Sequence, residues 1–274
     1  MSQTRAFADM ILSWLKTRLD APQLGWVEDQ CRRIQQSAEP RALTLAIGLA
    51  PRKIGKADLS LSKEEAARAS ATRSNLDTTG WTTDGAARAL FVLCSYCGGD
   101  AAFAARLDNV LATAEISELM AVLRGLPLYP AAQNLVPRAV EGVRSAMLPV
   151  FESVAHRNPF PAEHFSHDQW NQMVVKALFI GSTLAPIQGL DERRNAELAT
   201  ILVDYAHERW AAGRDVSPEL WRCVGPFADK VGLEALERVM TSGTREERSV
   251  AAAALAECPA PSARSVLDRT KLPA

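Results

Sequence analysis

Apolar residues recur at helical spacing along almost the whole chain, and this periodicity restricts the fold more than any other feature. The amino terminus shows it clearly, with apolar side chains at Phe7, Met10, Ile11, Trp14 and Leu15. Residues three or four positions apart share one face of an α-helix. Alternating β-branched runs are absent, alanine is abundant and aromatic residues make up 6% of the chain, which favours helices over strands. The sequence therefore predicts an all-α protein.

The periodic segments are separated by short stretches rich in glycine, proline and helix-capping residues. Pro149 lies inside one segment and is expected to kink or divide that helix. All the segments together fit one helical domain that spans residues 1–274. They predict helices near 3–19, 22–37, 39–50, 62–74, 82–97, 100–113, 115–124, 132–157, 168–184, 192–213, 217–223, 226–241, 244–257 and 260–269.

The carboxy-terminal residues 226–274 indicate how the helices pack. Within them, the run TREERSVAAAALAECPAPSARSVLDRT predicts two short antiparallel helices with small residues on the packed face. Small residues let neighbouring helices approach closely, as in the stacked hairpins of HEAT repeats. The earlier helices have similar lengths and short connections, but they show no fixed period. We therefore predict an irregular α-solenoid of HEAT-like stacked helical hairpins that ends in a HEAT-like helical tail.

Residues 51–81 differ from the rest of the chain, because they are polar and carry only scattered apolar side chains. A long stretch of this kind is expected to form a polar excursion between packed parts of the domain. It is interpreted either as a solvated insertion or as a mobile lid or partner-binding loop.

The charge balance and the cysteine content indicate which partners and which cellular compartment to expect for the protein. The chain has 31 basic and 32 acidic side chains, so no overall field attracts nucleic acid. No run approaches the ~18 apolar residues of a membrane helix, and the amino terminus has helical spacing instead of a signal-peptide core. Five irregularly spaced cysteines fit a reducing compartment. We expect a cytoplasmic protein that neither binds nucleic acid nor inserts into the membrane.

No complete motif for a cofactor, a metal or a catalytic nucleophile occurs in the sequence. A Gly-rich phosphate loop and a GxSxG nucleophile motif are both missing. Cys94 and Cys97 form a lone CxxC without a second ligand pair, and we interpret them as structural. His164 and His167 lie on a loop that feeds a helix, without a third ligand. We therefore expect no cofactor and no metal.

The segment DYAHERWAAGRDVSPELW, residues 204–221, concentrates charged and aromatic side chains. On a helical wheel Arg209 falls in the middle of the apolar arc of its helix, and Asn171 falls between apolar residues of the preceding helix. Both are predicted to point inward, where each needs a hydrogen-bonding partner. A shared polar pocket and a purely structural network both explain this pattern. Extension of the arginine side chain toward solvent stays open as a third explanation.

Four blocks of sequence are distinctive. The longest reads NPFPAEHFSHDQWNQMVVKALFIGSTLAPIQGLDERRNAELATILVDYAHERWAAGRDVSPELWRCVGPF, at 158–227. The others are WTTDGAARAL at 81–90, LPLYP at 126–130 and VFESVAHRNP at 150–159. Together they closely resemble the EboA-domain family, whose signature contains NPYPAE, WNQMVLKALF, GLD and HERWAAGR followed by a Pro-Glu-Leu-Trp helix. The resemblance covers roughly residues 81–227 and is only general elsewhere.

The resemblance implies a helical cytosolic protein encoded in a small bacterial operon. Its neighbours there resemble a prenyltransferase, a metal-dependent hydrolase, a sugar-phosphate isomerase and a dehydroquinate synthase, and its implied role is to process or deliver a metabolite toward the cell envelope. No catalytic residue is implied. Ala146 stands where the family has an asparagine, and Arg194 replaces a small residue; if that asparagine belongs to the pocket, the ligand contacts differ here. The matching motif positions form our candidate ligand or partner cluster: Asn158, Trp170, Asn171, Lys176, Asp191, His207, Glu208, Arg209, Trp210, Arg214 and Trp221.

From these observations we expect a non-enzymatic α-helical adaptor that binds a small polar or anionic metabolite or proteins of the same operon. Asn171 and Arg209 would orient a polar group of the ligand, and the three tryptophans of the cluster would form apolar walls. One alternative is an enzyme that uses His207 and Glu208 as acid and base. Another is a pure protein–protein scaffold that docks its partners on the concave face of the solenoid.

Overall fold

The computed structural model describes residues 3–37 and 40–270. It is 73% helical and has no strand within those residues, which confirms the all-α prediction. Two 3-10 turns, Leu126–Leu128 and Gly225–Phe227, interrupt the series of α-helices. The α-helices are α1 Gln3–Lys16, α2 Ala21–Gln36, α3 Pro40–Ile54, α4 Lys63–Thr72, α5 Thr83–Cys94, α6 Asp100–Leu111, α7 Ile116–Arg124, α8 Ala132–Arg144, α9 Leu148–Ala155, α10 Phe160–His164, α11 His167–Phe179, α12 Leu190–Arg193, α13 Ala196–Ala211, α14 Leu220–Val224, α15 Lys230–Ser242, α16 Arg245–Glu257 and α17 Pro261–Thr270.

Prolines explain where the helix prediction succeeded and where it was wrong. The long helix predicted at 132–157 is divided into α8 and α9, and Pro149 lies in the first turn of α9. The short helix α10 was not predicted, because Pro159 and Pro161 were interpreted as loop residues. Proline is well tolerated at a helix start, where its missing N–H leaves no hydrogen bond unmade.

The chain divides into two compact units, Met1–Ser166 and His167–Ala274. In the amino-terminal unit, α5 is the central element and packs against α1, α2, α3 and α7. Every residue of α5 except Gly85 is buried. A helix buried on all sides is expected to be apolar all round, yet this one contains Asp84 and Arg88. The centre of the unit therefore holds a pair of charged side chains.

The carboxy-terminal unit shows the close helix approach that its small residues predicted. Helix α16 packs against α14, α15, α17 and the 3-10 turn that begins at Gly225. A Cβ atom at Gly225 would lie 2.4 Å from the carbonyl oxygen of Ala254, so the two backbones nearly touch. Ala251, Ala254 and Leu255 are the buried residues of α16. The arrangement of the helices as a HEAT-like solenoid stays a prediction.

The polar segment at 51–81 contains the end of α3 and all of α4, and an isolated antiparallel bridge joins Asp58 to Thr82. Leu59 within it is fully buried. Arg18, a half-buried residue just after α1, also holds the segment, because its guanidinium donates to the Ser60 carbonyl at 3.0 Å and twice to the Glu65 carboxylate at 2.8 Å. The segment is therefore anchored by its own apolar residues and by this arginine.

We expect Glu65→Gln to lower the free energy of unfolding at neutral pH by about 1–3 kcal/mol, since charged hydrogen bonds to Arg18 are lost. Those bonds lower the pKa of Glu65 from 4.5 to about 2. A carboxyl group whose pKa is lower in the folded than in the unfolded state stabilises the fold at pH values above the unfolded-state pKa. This stabilisation is lost as the pH falls through the folded-state pKa. Urea unfolding at about pH 7, 4 and 2.5 should therefore show the difference from wild type shrinking toward the lowest pH.

The matched control for this prediction is Glu64→Gln. Glu64 lies next to Glu65 on α4, but its contact with Arg68 spans 3.8 Å and both side chains are largely exposed. Exposed pairs of this kind contribute little, so this variant should resemble wild type at every pH. A Glu65→Gln effect that does not change with pH would contradict the assigned role of the Arg18 ion pair.

Candidate functional site

The eleven residues singled out from the sequence are divided between the two compact units. Asn158 lies in the amino-terminal unit and the other ten lie in the carboxy-terminal unit. The Asn158 amide donates to the carbonyl oxygens of Leu123 and Ser153, both at 3.2 Å, and its oxygen accepts from the backbone N–H of Phe160 at 3.1 Å. The side chain thus fixes the chain path at the start of α10.

Asn171 is buried, as predicted, but its partners are structural. Its amide oxygen accepts a hydrogen bond from Asn195 at 2.9 Å, and its amide nitrogen lies 3.4 Å from the Asn195 oxygen and 3.3 Å from a Glu197 oxygen. Asn195 also caps α13 by accepting from the backbone N–H of Leu198 at 2.9 Å. Asn171 therefore takes part in a structural hydrogen-bond network, which was one of the explanations for its inward position. This network holds the first turn of α13 in place.

The prediction that Arg209 points into the core was wrong. Its side chain is half-buried, and its Nε donates to the carbonyl oxygen of Asp215 at 2.9 Å. The chain supplies this acceptor because α13 ends at Ala211 and turns back through Gly213, which has a φ of 66°. Arg209 also lies about 18 Å along the helix axis from Glu197, a partner of Asn171. The shared pocket predicted for Asn171 and Arg209 is therefore not formed.

Two tryptophans of the cluster, Trp210 and Trp221, form a stack that joins three helices. The rings of Trp210 and Trp221 lie 5.8 Å apart at an interplanar angle of 24°. The Arg238 guanidinium carbon lies 4.2 Å from the centre of the Trp210 ring, and the His207 ring lies 5.6 Å from it. Trp221 is buried and His207 is exposed. Trp221 thus serves as a core residue, and Trp210 packs between it and a surface arginine.

Trp170 is also a core residue, although it lies in a different part of the same unit. Its ring is fully buried, and the guanidinium carbon of Arg193 lies 4.8 Å from the ring centre. The indole Nε1 has no hydrogen-bond partner among the residues that the structure describes. Burial lowers the pKa of Arg193, which fits a guanidinium packed against an aromatic face.

The remaining members of the cluster join helices or face solvent. Two nitrogens of Arg222 hydrogen-bond the Asp191 carboxylate, which lowers the pKa of Asp191. Arg194, which departs from the family pattern, donates to the Arg222 carbonyl at 2.8 Å and to Glu257 at 2.7 Å. This network ties α12 to α14 and α16. Lys176 is half-buried, and burial lowers its pKa. Glu208 and Arg214 are exposed.

No group of three His, Cys, Asp or Glu residues suited to a metal ion occurs within the described part of the chain. The CxxC residues also lie in different environments, since Cys94 is buried and Cys97 is exposed. The neighbour of the Cys94 thiol is Cys31 on α2, and their contact, together with burial, raises the pKa of Cys31. A raised thiol pKa makes a cysteine less reactive.

A cavity of about 200 Å³ in the amino-terminal unit brings together residues that the sequence analysis did not select. It lies between the start of α5 and the second half of α7. Its walls combine charged side chains with a tryptophan and a methionine, the mixture expected of a ligand site. The lining residues are Lys56, Trp81, Thr82, Asp84, Gly85, Arg88, Ser117, Met120, Ala121 and Arg124.

The local sequence of α5 explains why the charged pair Asp84 and Arg88 lines this cavity. Thr82 caps the helix by accepting from the Gly85 N–H at 3.2 Å, and its hydroxyl donates to Asp84 at 2.6 Å. Arg88 follows one turn later, so that its Nη1 lies 3.2 Å from the Asp84 carboxylate. The two residues are only 3% and 2% exposed. Burial of this kind requires partners for both charges.

Arg88 has more hydrogen-bond donors than the protein satisfies. Its Nε donates to the Ile47 carbonyl at 3.1 Å, and its Nη1 donates to the Ser117 carbonyl at 3.1 Å. The side chain therefore links α3, α5 and α7. Nη2 donates no hydrogen bond within residues 3–37 and 40–270. A guanidinium carries five N–H donors, and this nitrogen belongs to a buried residue that lines the cavity.

Two further cations line the cavity without a carboxylate partner in the described residues. Arg124 is half-buried and donates to the Gly80 carbonyl at 3.1 Å. Its pKa is lowered, first by burial and then by the nearby charge of Arg157. Lys56 is exposed. The cavity wall therefore carries three basic groups and one carboxylate, that of Asp84.

Three other cavities are larger but carry more acidic than basic side chains. The largest, about 560 Å³, is lined by Asp108, Glu141 and Arg138, and the arginine hydrogen-bonds both acids. One of about 490 Å³ contains two aspartates and no cation, and one of about 480 Å³ contains three acids and two cations. His207 and Glu208 line none of the four cavities. Of these four cavities, the one beside Arg88 is distinguished by its excess of basic side chains.

Residues 7–225 match the sequence profile of a family described as metabolite traffic protein EboA. No match was found among curated proteins or among solved structures. Where the structure describes the chain, no helix has both the length and the hydropathy needed to cross a bilayer. The family match extends over more than half of the chain and includes both the charged cavity and the residues selected from the sequence. The chain therefore belongs to the EboA family.

Proposed function

We propose that this protein binds a small metabolite in the cavity beside Asp84 and Arg88 and serves as a non-enzymatic carrier. Family membership supports a role related to a metabolite. In this proposal the protein works in the cytoplasm and passes its ligand to proteins of the same operon. The ligand site lies in the amino-terminal unit and not in the cluster around Arg209.

The observation that carries the proposal is the uncommitted Nη2 of the buried Arg88. Nη2 donates no hydrogen bond to the residues that the structure describes, and a ligand oxygen placed in the cavity would accept one. The remaining contacts of Arg88 fix its position in advance, since two carbonyl oxygens and Asp84 hold the guanidinium. A preorganised donor of this kind favours binding because little entropy is lost when the ligand arrives.

The contacts of Asp84 and Arg88 favour ligand binding without catalysis. Asp84 accepts a hydrogen bond from Thr82 and an ion-pair contact from Arg88. A carboxylate held in this way positions the arginine and is poorly placed to take a proton from a substrate. His207 and Glu208, on which the enzyme alternative rests, are exposed on α13 and line none of the four cavities described above.

Native mass spectrometry of protein purified gently from its own cells tests this proposal. We expect a stoichiometric small adduct on wild type that is lost in Arg124→Gln. The matched control is Arg209→Gln, because Arg209 is likewise half-buried and likewise donates to one backbone carbonyl. The control should keep the adduct. An adduct that persists in Arg124→Gln but disappears in Arg209→Gln would overturn the assignment of the site.

A protein–protein scaffold is the second candidate, and one observation favours it. Phe179, the last residue of α11, is 73% exposed. An aromatic side chain left in solvent is a frequent anchor for a partner protein. The same mass spectra distinguish the two functions. A scaffold would appear in them without a small adduct and in complex with a protein of the pathway. Phe179→Ser would then release that protein, whereas the carrier proposal expects no effect of this variant on the small adduct.

A further inference from the structure

We infer that the ligand of the cavity beside Arg88 carries an anionic group, a carboxylate or a phosphate, that binds among Arg88, Lys56 and Arg124. The inference rests on the proposed function and names the chemical class of the ligand. Asp84 balances only one of the three basic groups that line the cavity. Two positive charges therefore remain for a ligand to neutralise.

Several half-buried arginines of this unit have carboxylate partners: Arg18 contacts Glu65 at 2.8 Å, and Arg73 contacts Glu163 at 2.5 Å. Arg106 and Arg124 instead donate to backbone carbonyls, and of these two only Arg124 lines the cavity. Arg124 donates to the Gly80 carbonyl and has no salt bridge within the described residues. The charge of Arg157 acts on it unfavourably, and the favourable charge of Glu152 has a smaller effect. An anion in the cavity would supply the missing partner and offset this repulsion.

The size of the cavity limits what it encloses. Pockets for complete drug-sized ligands range from about 300 to 1,000 Å³, and this cavity measures about 200 Å³. It therefore encloses an acidic group and the atoms next to it. Trp81 and Met120 provide apolar surface for those atoms. A planar or hydrocarbon portion joined to the acid fits these walls better than a second charged group does.

Isothermal titration with small probes tests the inference. The probes are phenyl phosphate, benzoate, inorganic phosphate and the uncharged benzyl alcohol. We expect the two aromatic anions to bind and benzyl alcohol to show no measurable binding. Raising the salt from about 50 to 300 mM should weaken anion binding, since salt screens charges at a partly open site. Benzoate and phenyl phosphate separate a preference for carboxylate from one for phosphate, and inorganic phosphate shows whether the apolar portion contributes.

Single charge removals at the rim provide the site-specific test. Lys56→Gln and Arg124→Gln should each weaken anion binding by about fivefold or more. Lys53→Gln is the matched control, because Lys53 is an exposed lysine three positions away that does not line the cavity. It should change the affinity by less than about twofold. Arg88 itself is left intact, since the buried ion pair supports the fold.

Two outcomes separate the failure of this inference from that of the proposed function. If benzyl alcohol binds as tightly as benzoate, or if the native adduct is uncharged yet lost in Arg124→Gln, the cavity binds a metabolite and the anionic class is wrong. If no probe binds and the protein from its own cells carries no adduct, both the inference and the proposed function are overturned. Equal loss of anion binding in Lys53→Gln and Lys56→Gln would also contradict the inferred site.

Discussion

Asp84→Ala is expected to lower the free energy of unfolding by about 3–5 kcal/mol, because it leaves the Arg88 guanidinium buried without its carboxylate. The pair lies in the first turns of the central helix α5, with side chains that are nearly inaccessible to solvent. The carbonyl oxygens of Ile47 and Ser117 keep the arginine in place and cannot neutralise its charge. Urea unfolding followed by circular dichroism measures the loss directly.

Glu64→Ala is the matched control for this prediction. Glu64 and Arg68 have the same order and spacing on α4 as Asp84 and Arg88 have on α5, but both side chains are more than 80% exposed. Removing that acid should cost less than about 0.5 kcal/mol. The double variant Asp84→Leu/Arg88→Met should recover much of the lost stability, since no unpaired charge remains. An Asp84→Ala protein within about 1 kcal/mol of wild type would show that the pair is not buried as described.

Gly225→Ala should destabilise the protein by about 2–3 kcal/mol, because the added methyl group has no room. A Cβ atom at this position would lie 2.4 Å from the carbonyl oxygen of Ala254 and 2.7 Å from its Cα. Backbone atoms cannot rotate away as a flexible side chain can, so α14 and α16 would have to separate. Thermal and urea unfolding of the variant measure the cost.

The control for Gly225→Ala is Gly25→Ala. Gly25 lies inside α2, and no atom lies within 4 Å of the position that its Cβ would take. Alanine is the better helix former, so this change should stabilise the protein by about 0.5–1 kcal/mol. If both glycine variants shifted stability equally, the close approach of α14 and α16 could not be the cause of the Gly225 effect.

The helices themselves could be predicted from the sequence, because helix formation depends on local spacing of apolar residues. Even the division at Pro149 followed from local chemistry. The family resemblance was likewise confirmed by the profile match over residues 7–225. Packing between helices depends on contacts between residues that are distant in sequence. The alanine-rich helix therefore predicted close packing in general, but it did not indicate that Gly225 would be the point of contact.

The candidate site was harder to predict, and two residues show why. Arg209 falls within the apolar arc of α13, but it lies near the end of that helix, where its long side chain follows the turning chain to Asp215. Asp84 and Arg88 were not selected from the sequence, and opposite charges four residues apart are typical of a solvated helix face. The signal that distinguishes them is the surrounding sequence, since nearly every other residue of α5 is small or apolar.

A crystal structure of the protein purified from its own cells, without added ligand, would show whether the cavity holds a metabolite. We expect electron density in the cavity of the amino-terminal unit, with an oxygen atom within hydrogen-bonding distance of Arg88 Nη2 and close to Arg124. Density for a small molecule beside Trp210 and Arg238, with only water next to Arg88, would contradict this expectation.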